Sequence, residues 1–230
     1  MAPLRRPRHW GRWLIGLGVL AVVVFVGGPF LYFRVVEGPA PAPLRLPKAK
    51  LASGAAVPVD GQWKVGAGSQ AGYRVNEVLF GQGNTAVGRT TAVTGRLTIA
   101  QRQVTAATVT VDLTQVSSDQ GLRDRQFQGR IMDTASFPTA VFNLTAPIKL
   151  GAVPTVGGTV SEQAAGTLAV HGVTRPVVAQ LSARRTTTTI EVSGSVPVQF
   201  SDWSIPNPTF GPTTTEDHGL VEFLVTFVRA

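Results

Sequence analysis

The stretch Ser117–Phe142 reads SSDQGLRDRQFQGRIMDTASFPTAVF, and a second block, Gly166–Pro176, reads GTLAVHGVTRP. Within the first, the segment around Leu122–Met132 is the one helical candidate of the globular part, and Ser118 or Asp119 is available to cap its approach. Within the second, the pair His171-Gly172 separates two runs of strand-forming residues and therefore marks a hairpin turn. A short helix and a hairpin are thus predicted inside a chain that otherwise has the pattern of strands.

The residues on either side of these blocks follow the two-residue period of half-buried antiparallel strands. Between Ile190 and Phe200, for example, every second residue is apolar or glycine, and the glycine-rich segment Gly81–Thr90 is expected to be a loop. An antiparallel set of about eight strands forms either a sandwich or a barrel, and the period does not choose between them. The predicted strands are Gln62–Val65 running on through Ala71–Leu79, Thr91–Ala100, Val104–Thr114, Thr139–Leu150, Glu162–Val170, Val173–Thr187, Thr189–Gln199 and Leu220–Arg229.

The two blocks resemble the YceI-like family, whose members are lipocalin-like barrels that bind isoprenoids. The matching residues are Ser118-Asp119, Arg123-Asp124 and Phe127 on the helical connection, Phe137, Pro138 and Phe142 at the next strand, and Gly166, Leu168 and His171 to Pro176 in the hairpin. The resemblance covers about residues 62–229. It implies an all-β fold, an eight-stranded antiparallel lipocalin-like barrel with one short helix.

A membrane helix is predicted ahead of this domain. Leu14 to Phe33 is an uncharged run of twenty residues, long enough at about 1.5 Å per residue to cross a hydrocarbon core of about 30 Å. A cleaved secretory signal is the competing interpretation, but the run exceeds the usual apolar region and the small residues after it are rich in proline. The four preceding arginines, Arg5, Arg6, Arg8 and Arg12, place the N-terminus in the cytoplasm.

The predicted organisation therefore has four parts. Residues 1–13 form a basic cytoplasmic N-terminus, 14–33 a single transmembrane helix, 34–61 a linker and 62–230 the barrel, held outside the cytoplasm on the cell membrane. The linker is rich in proline and alanine and has no periodic apolar face, a composition typical of extended segments that do not fold alone.

Charge and composition exclude several function classes. Residues 1–60 hold eight Lys/Arg and two Asp/Glu, whereas residues 61–230 hold thirteen and eleven, so the basic character lies outside the barrel and argues against nucleic acid as a partner. The chain has no cysteine. It also lacks the nucleophile elbow and the phosphate-binding glycine motifs, and His218 has no second histidine at metal-ligand spacing. We therefore expect neither catalysis nor a cofactor or metal.

Candidate ligand contacts are the apolar residues that an open barrel would turn inward. Arg123, His171 and Arg175 are candidates for the rim or for a polar head group. Arg123 and His171 also have a structural interpretation. Arg123 could instead hold the helix against the barrel, and the His171 ring could instead bond nearby backbone in its turn. The ten expected ligand-binding residues are Val109, Val111, Leu113, Phe127, Phe142, Leu144, Val192, Val196, Val198 and Phe200.

The resemblance implies the function to be tested. The expected ligand is an isoprenoid lipid, either a quinone or a polyprenyl carrier, which the barrel would sequester or transfer at the membrane. One rival is a structural or stress-related cell-envelope module whose lumen is filled by its own side chains. A second rival, an enzyme acting on an envelope lipid, would need a catalytic constellation that the motifs do not supply. The sequence specifies no protein partner.

Overall fold

The computed structural model describes residues 10–23, 39–48, 55–79, 81–151, 154–211 and 213–230. The chain divides into two compact units, Met1–Ala40 and Pro41–Ala230. The first contains the helix Trp10–Val22, in which the large apolar side chains from Trp13 onward are exposed. Across the described ranges, no helix combines the length and the hydropathy needed to cross a bilayer. The second part of the predicted membrane helix, residues 24–33, lies outside the described residues.

The second unit is a closed antiparallel barrel. Its ring runs β1, β4, β5, β6, β8, β9, β10 and β12 and closes through pairing of β12 with β1, so eight strands form the wall as the sequence predicts. The strands are β1 Gly61–Val65, β2 Gln70–Leu79, β3 Gln82–Thr90, β4 Val93–Ala100, β5 Gln103–Asp112, β6 Thr139–Leu144, β7 Ile148–Lys149, β8 Thr159–Val170, β9 Val173–Arg185, β10 Thr189–Gln199, β11 Thr213–Thr215 and β12 His218–Arg229.

The prediction of a loop at Gly81–Thr90 is wrong. This segment forms β3, which pairs with β2 as β4 pairs with β1, so β3 and β4 continue each other along the wall. Its Gly88 lies opposite Tyr73, and a Cβ at Gly88 would come within 2.4 Å of the Tyr73 ring. The glycine thus provides space for an aromatic ring inside a strand and does not mark a turn.

One end of the barrel, called the helix end below, is closed by the connection between β5 and β6. The helix Gly121–Gln126 continues as the π-helical turn Phe127–Ile131, close to the predicted Leu122–Met132. Phe127 stacks on Tyr73 with ring centroids 5.0 Å apart. The 3-10 turn Phe200–Trp203 lies at the same end, where the Trp203 indole N–H donates to the Leu168 carbonyl at 3.1 Å. Packed side chains therefore seal this end.

The opposite end, called the mouth, is formed by the β4–β5 turn, the start of β8, the β9–β10 turn and the segment before β1. Trp63 anchors it, with only 1% of its surface exposed. The Trp63 indole N–H donates to the Val59 carbonyl at 2.9 Å, and the Arg229 guanidinium lies over the ring at 5.3 Å from its centroid. These contacts fix the segment that enters β1 along the rim.

A segment of the predicted linker, Pro41–Lys48, lies against the outer barrel wall and is called the strap below. Arg74 donates to the Pro41 carbonyl at 2.6 Å, Arg89 donates to the Ala42 carbonyl, and the Leu44 N–H donates to Glu222 at 3.4 Å. The compact unit therefore begins at Pro41, although the sequence places the start of the barrel at residue 62. Barrel side chains bond the strap backbone, and Leu44 and Leu46 are half-buried while Arg45 between them is exposed.

Candidate ligand cavity

The barrel encloses a cavity of about 190 Å³. A single water molecule needs only about 10–15 Å³ of such space, so the lumen is more than ten times larger than a water site. The cavity is lined by side chains from β4, β5, β6, β8, β9, β10 and β12, with Ala71 on β2, and nearly all of the lining side chains are apolar. A cavity of this character favours an apolar guest over water.

The register of the strands explains why the lining is apolar. On β12, Val221, Phe223, Val225 and Phe227 alternate with polar or outward residues and all four face the cavity. Ala164 on β8 and Ala179 on β9 are register partners, and each has 3% of its surface exposed. Two small side chains facing the lumen side by side leave space that larger residues would fill.

The structure divides the ten predicted ligand contacts into two groups. Six line the cavity: Val109, Val111, Phe142, Leu144, Val192 and Val196. The other four are buried in the packed cluster at the helix end, where they contact protein side chains instead of the cavity: Leu113, Phe127, Val198 and Phe200. The strand period correctly indicates that Val198 points inward, but it carries no information about which part of the lumen the helix fills.

The three candidate rim residues lie at the closed helix end. Arg123 donates to Glu77 at 3.1 Å and also pairs with Asp119, so its charge is balanced within the protein. Burial raises the pKa of the neighbouring Tyr73, so its phenol is neutral at physiological pH and does not supply a base. The arginine therefore holds the helix to β2, in agreement with its structural interpretation.

His171 and Arg175 also make structural contacts. His171 adopts φ 50° in the β8–β9 turn, its Nδ1 lies 3.3 Å from the Trp203 carbonyl oxygen, and its ring is 4.9 Å from Phe137. A Cβ at Gly172 would approach the Phe137 ring to 2.7 Å. Arg175 donates from Nε to the Asp202 carbonyl at 2.9 Å. The motif thus joins the hairpin to the elements that seal the helix end.

The polar groups that border the cavity lie at the mouth. Glu162 on β8 is half-buried and occupies an inward register position between Val160 and Ala164. Arg185 borders the same opening and donates to the Val57 carbonyl at 2.7 Å. Neither residue is among the predicted site residues. A usable signal was present, because Glu162 interrupts an otherwise small or apolar face of its strand.

The arrangement of the described residues is suited to binding and contains no evident reaction centre. No group of three potential metal ligands occurs among them. His218 bonds Asp217 at 2.9 Å, but this pair is exposed at the start of β12 and does not border the cavity. What the geometry offers is an apolar chamber that is closed at one end and bordered by charged groups at the other.

Known protein families and solved structures include relatives of this fold. The YceI-like domain model matches residues 63–227. A polyisoprenoid-binding domain from Saccharophagus degradans gives a TM-score of 0.59 at 18% identity, covering 74% of this chain and 98% of that chain. Burkholderia cenocepacia BcnA gives 0.49 at 16%, covering 67% and 95%, and a Campylobacter jejuni YceI protein gives 0.43 at 14%, covering 60% and 83%. At these identities the structural likeness concerns the fold alone, and no curated protein sequence matches. Because the family match spans well over half of the sequence, this chain belongs to the YceI-like family.

Proposed function

We propose that this protein is a membrane-anchored, extracytoplasmic carrier that holds one isoprenoid lipid, a quinone or a polyprenyl carrier, in the lumen of its barrel. The observation that carries the proposal is the apolar cavity enclosed by the eight wall strands. The family relationship and the polyisoprenoid-binding domain among the structural neighbours support an isoprenoid as the guest.

The energetics favour a long apolar ligand. Burial of apolar surface contributes about 25 cal/mol per Å², so each 100 Å² of lipid chain covered by the lumen contributes about 2.5 kcal/mol. The lining side chains offer few hydrogen-bonding groups to direct a polar molecule. Selectivity for the lipid chain then depends on its shape, and selectivity for its head group depends on the polar residues at the mouth.

The anchoring part of the proposal depends on the sequence. The uncharged run from Leu14 to Phe33 has the length of a membrane helix, and the arginines before it favour a cytoplasmic N-terminus. We expect protease added to intact spheroplasts to degrade the barrel while residues 1–13 stay protected. Protection of the barrel would contradict the orientation, and release of the protein without detergent would favour a cleaved signal.

The filled-barrel rival is disfavoured by the size of the cavity, because a structural module would have its lumen packed by side chains. The enzyme rival has no support from the cavity lining, in which no described serine or histidine appears. Sequestration and transfer require only that the lipid enters, is shielded from water and leaves.

Native mass spectrometry of the full chain, extracted from its source membrane in mild detergent, tests the ligand. We expect a bound mass in one-to-one ratio whose chain length is a whole number of isoprene units. A bound phospholipid, or a protein that is empty after gentle extraction, would overturn the proposal. Release of a chemically altered lipid over time would instead favour the enzyme.

A further inference from the structure

Charged residues are distributed unequally between the two ends of the barrel. From residue 60 onward, the mouth half holds seven Lys/Arg and three Asp/Glu, whereas the helix end holds four and eight; Arg74, Arg89 and Glu222 lie on the wall between the two ends. Near the mouth these are Lys64, Arg96, Arg102, Lys149, Arg184, Arg185 and Arg229 against Asp60, Glu162 and Glu191. At the helix end they are Arg123, Arg125, Arg130 and Arg175 against Glu77, Asp112, Asp119, Asp124, Asp133, Asp202, Glu216 and Asp217. The near-neutral barrel is thus basic at one end and acidic at the other.

The cations at the mouth are accessible. Arg102 in the β4–β5 turn and Lys149 on β7 are exposed, and neither forms a salt bridge among the described residues. Arg229 is also exposed, and its guanidinium donates to the backbone carbonyl of Asp60 at 2.8 Å. Arg184 is the exception, because it pairs with Glu191. Most of the positive charge is therefore free to attract an external anion.

These cations surround an apolar opening. Val59, Leu150, Pro154 and Val160 line the cavity near the mouth and are half-buried in the isolated protein. Exposed cations beside a partly exposed apolar rim match a membrane interface, where apolar groups enter the acyl region and cations meet anionic head groups. A purely electrostatic partner such as nucleic acid would leave the apolar rim in water.

We infer that the mouth docks onto a bilayer surface containing anionic lipid, so that the guest passes between bilayer and lumen without crossing water. The inference rests on the proposed carrier function and adds to it the surface that meets the membrane. The acidic helix end is repelled by the same surface, so attraction and repulsion favour a single orientation. The motif residues His171 and Arg175 then face away from the membrane.

Vesicle binding by the unit Pro41–Ala230 tests this docking. The unit contains the closed ring, both core clusters and the strap, and the Saccharophagus domain that it resembles in fold is matched over 98% of its own length by 74% of this chain. We expect sedimentation with vesicles of phosphatidylcholine and phosphatidylglycerol, and little with phosphatidylcholine alone. Binding should weaken strongly between 0.1 and 1 M salt, as the Debye length falls from about 10 Å to about 3 Å.

Charge-reversal variants at the two ends of the barrel show which end binds the vesicles. Each cation near an anionic surface contributes roughly five-fold to binding, so Arg102→Asp with Lys149→Glu should weaken vesicle binding at least about 30-fold. Aspartate suits Arg102 because it tolerates the φ of 59° there. The matched control, Arg125→Glu with Gln115→Glu and Thr214→Glu, changes net charge equally at exposed positions of the helix end and should bind within about three-fold of the unaltered unit.

Each outcome separates docking from lipid binding. Loss of binding in the mouth variant alone supports the inference. Equal loss in both variants would show that only net charge matters, and binding to neutral vesicles or equally tight binding to duplex DNA would also overturn it. Native mass spectrometry of the same unit reports lumen occupancy independently. An occupied barrel that ignores anionic vesicles would refute the docking and leave the carrier function standing, whereas an empty barrel would refute the carrier.

Discussion

Replacement of Ala179 by tryptophan should expel the lipid. Ala179 faces the lumen beside Ala164, so an indole at this position enters the cavity and occupies space that the guest needs. Val178, the preceding residue on β9, has 46% of its surface exposed and points to the opposite face of the wall. Val178→Trp is therefore a control that adds the same side chain outside the lumen.

The size of the effect follows from the area that the indole covers. A buried tryptophan covers about 200 Å² of surface. If the lipid loses contact with an equal apolar area, its binding weakens by about 5 kcal/mol at 25 cal/mol per Å². That loss corresponds to roughly 4,000-fold in affinity. A cavity of about 190 Å³ receives much of the new side chain, so the free energy of unfolding should change by less than about 1 kcal/mol.

The assay combines native mass spectrometry of the extracted full chain with urea denaturation of the delipidated proteins, because a bound lipid itself raises the free energy of unfolding. Ala179→Trp should lose the bound lipid and match the delipidated unaltered protein in stability, and Val178→Trp should retain the lipid and show the same stability. Retention of lipid by Ala179→Trp would refute the assignment of the ligand to the lumen. A loss of about 1–3 kcal/mol in stability would instead indicate a lumen already packed by side chains.

Two further predictions concern charged groups outside the cavity. Glu222→Gln should lower the free energy of unfolding by about 2–3 kcal/mol, because the buried carboxylate neutralises Arg74 and Arg89; urea denaturation measures this, and unchanged stability would contradict it. The bond to Asp217 raises the pKa of His218, and the bond to His218 lowers that of Asp217. The pair therefore stabilises the fold below the raised pKa of His218 and above the lowered pKa of Asp217. Proton NMR titration should show the His218 midpoint above its ordinary value and lower in Asp217→Asn, where Glu216 at 3.5 Å keeps part of the shift, and an identical midpoint in both proteins would exclude the pairing.

The strand period was sufficient to predict most of the wall. Val192 and Val196 face the cavity because they occupy alternate positions on β10, and Val221 to Phe227 follow the same rule on β12. The period failed at β3, where Gly88 interrupts the apolar pattern for the sake of the Tyr73 ring on the neighbouring strand. That reason depends on a partner outside the segment, so local sequence does not contain it.

The candidate site was harder to predict than the wall. Arg123, His171 and Arg175 stand out in the sequence because they belong to motifs, yet their contacts stabilise the closed end. Glu162 and Arg185 have no motif and nevertheless border the opening. Which end of a barrel stays open depends on where the connecting helix packs, and that is a tertiary property that strand alternation does not encode.

The strap affects how experiments with shortened proteins should be interpreted. A shortened protein that begins at residue 63, where the family match starts, would lack Pro41–Lys48. Glu222, Arg74 and Arg89 would then face solvent without the strap backbone groups that they bond. A loss of activity in such a protein would not identify the missing N-terminal residues as its cause, because the uncovered patch of barrel wall is an alternative cause. A shortened protein that keeps the wall covered starts at or before Pro41. Comparing it with a version that starts at Ala55, which keeps Val57, Val59 and Asp60 at the rim, measures what the strap and the residues up to 54 contribute.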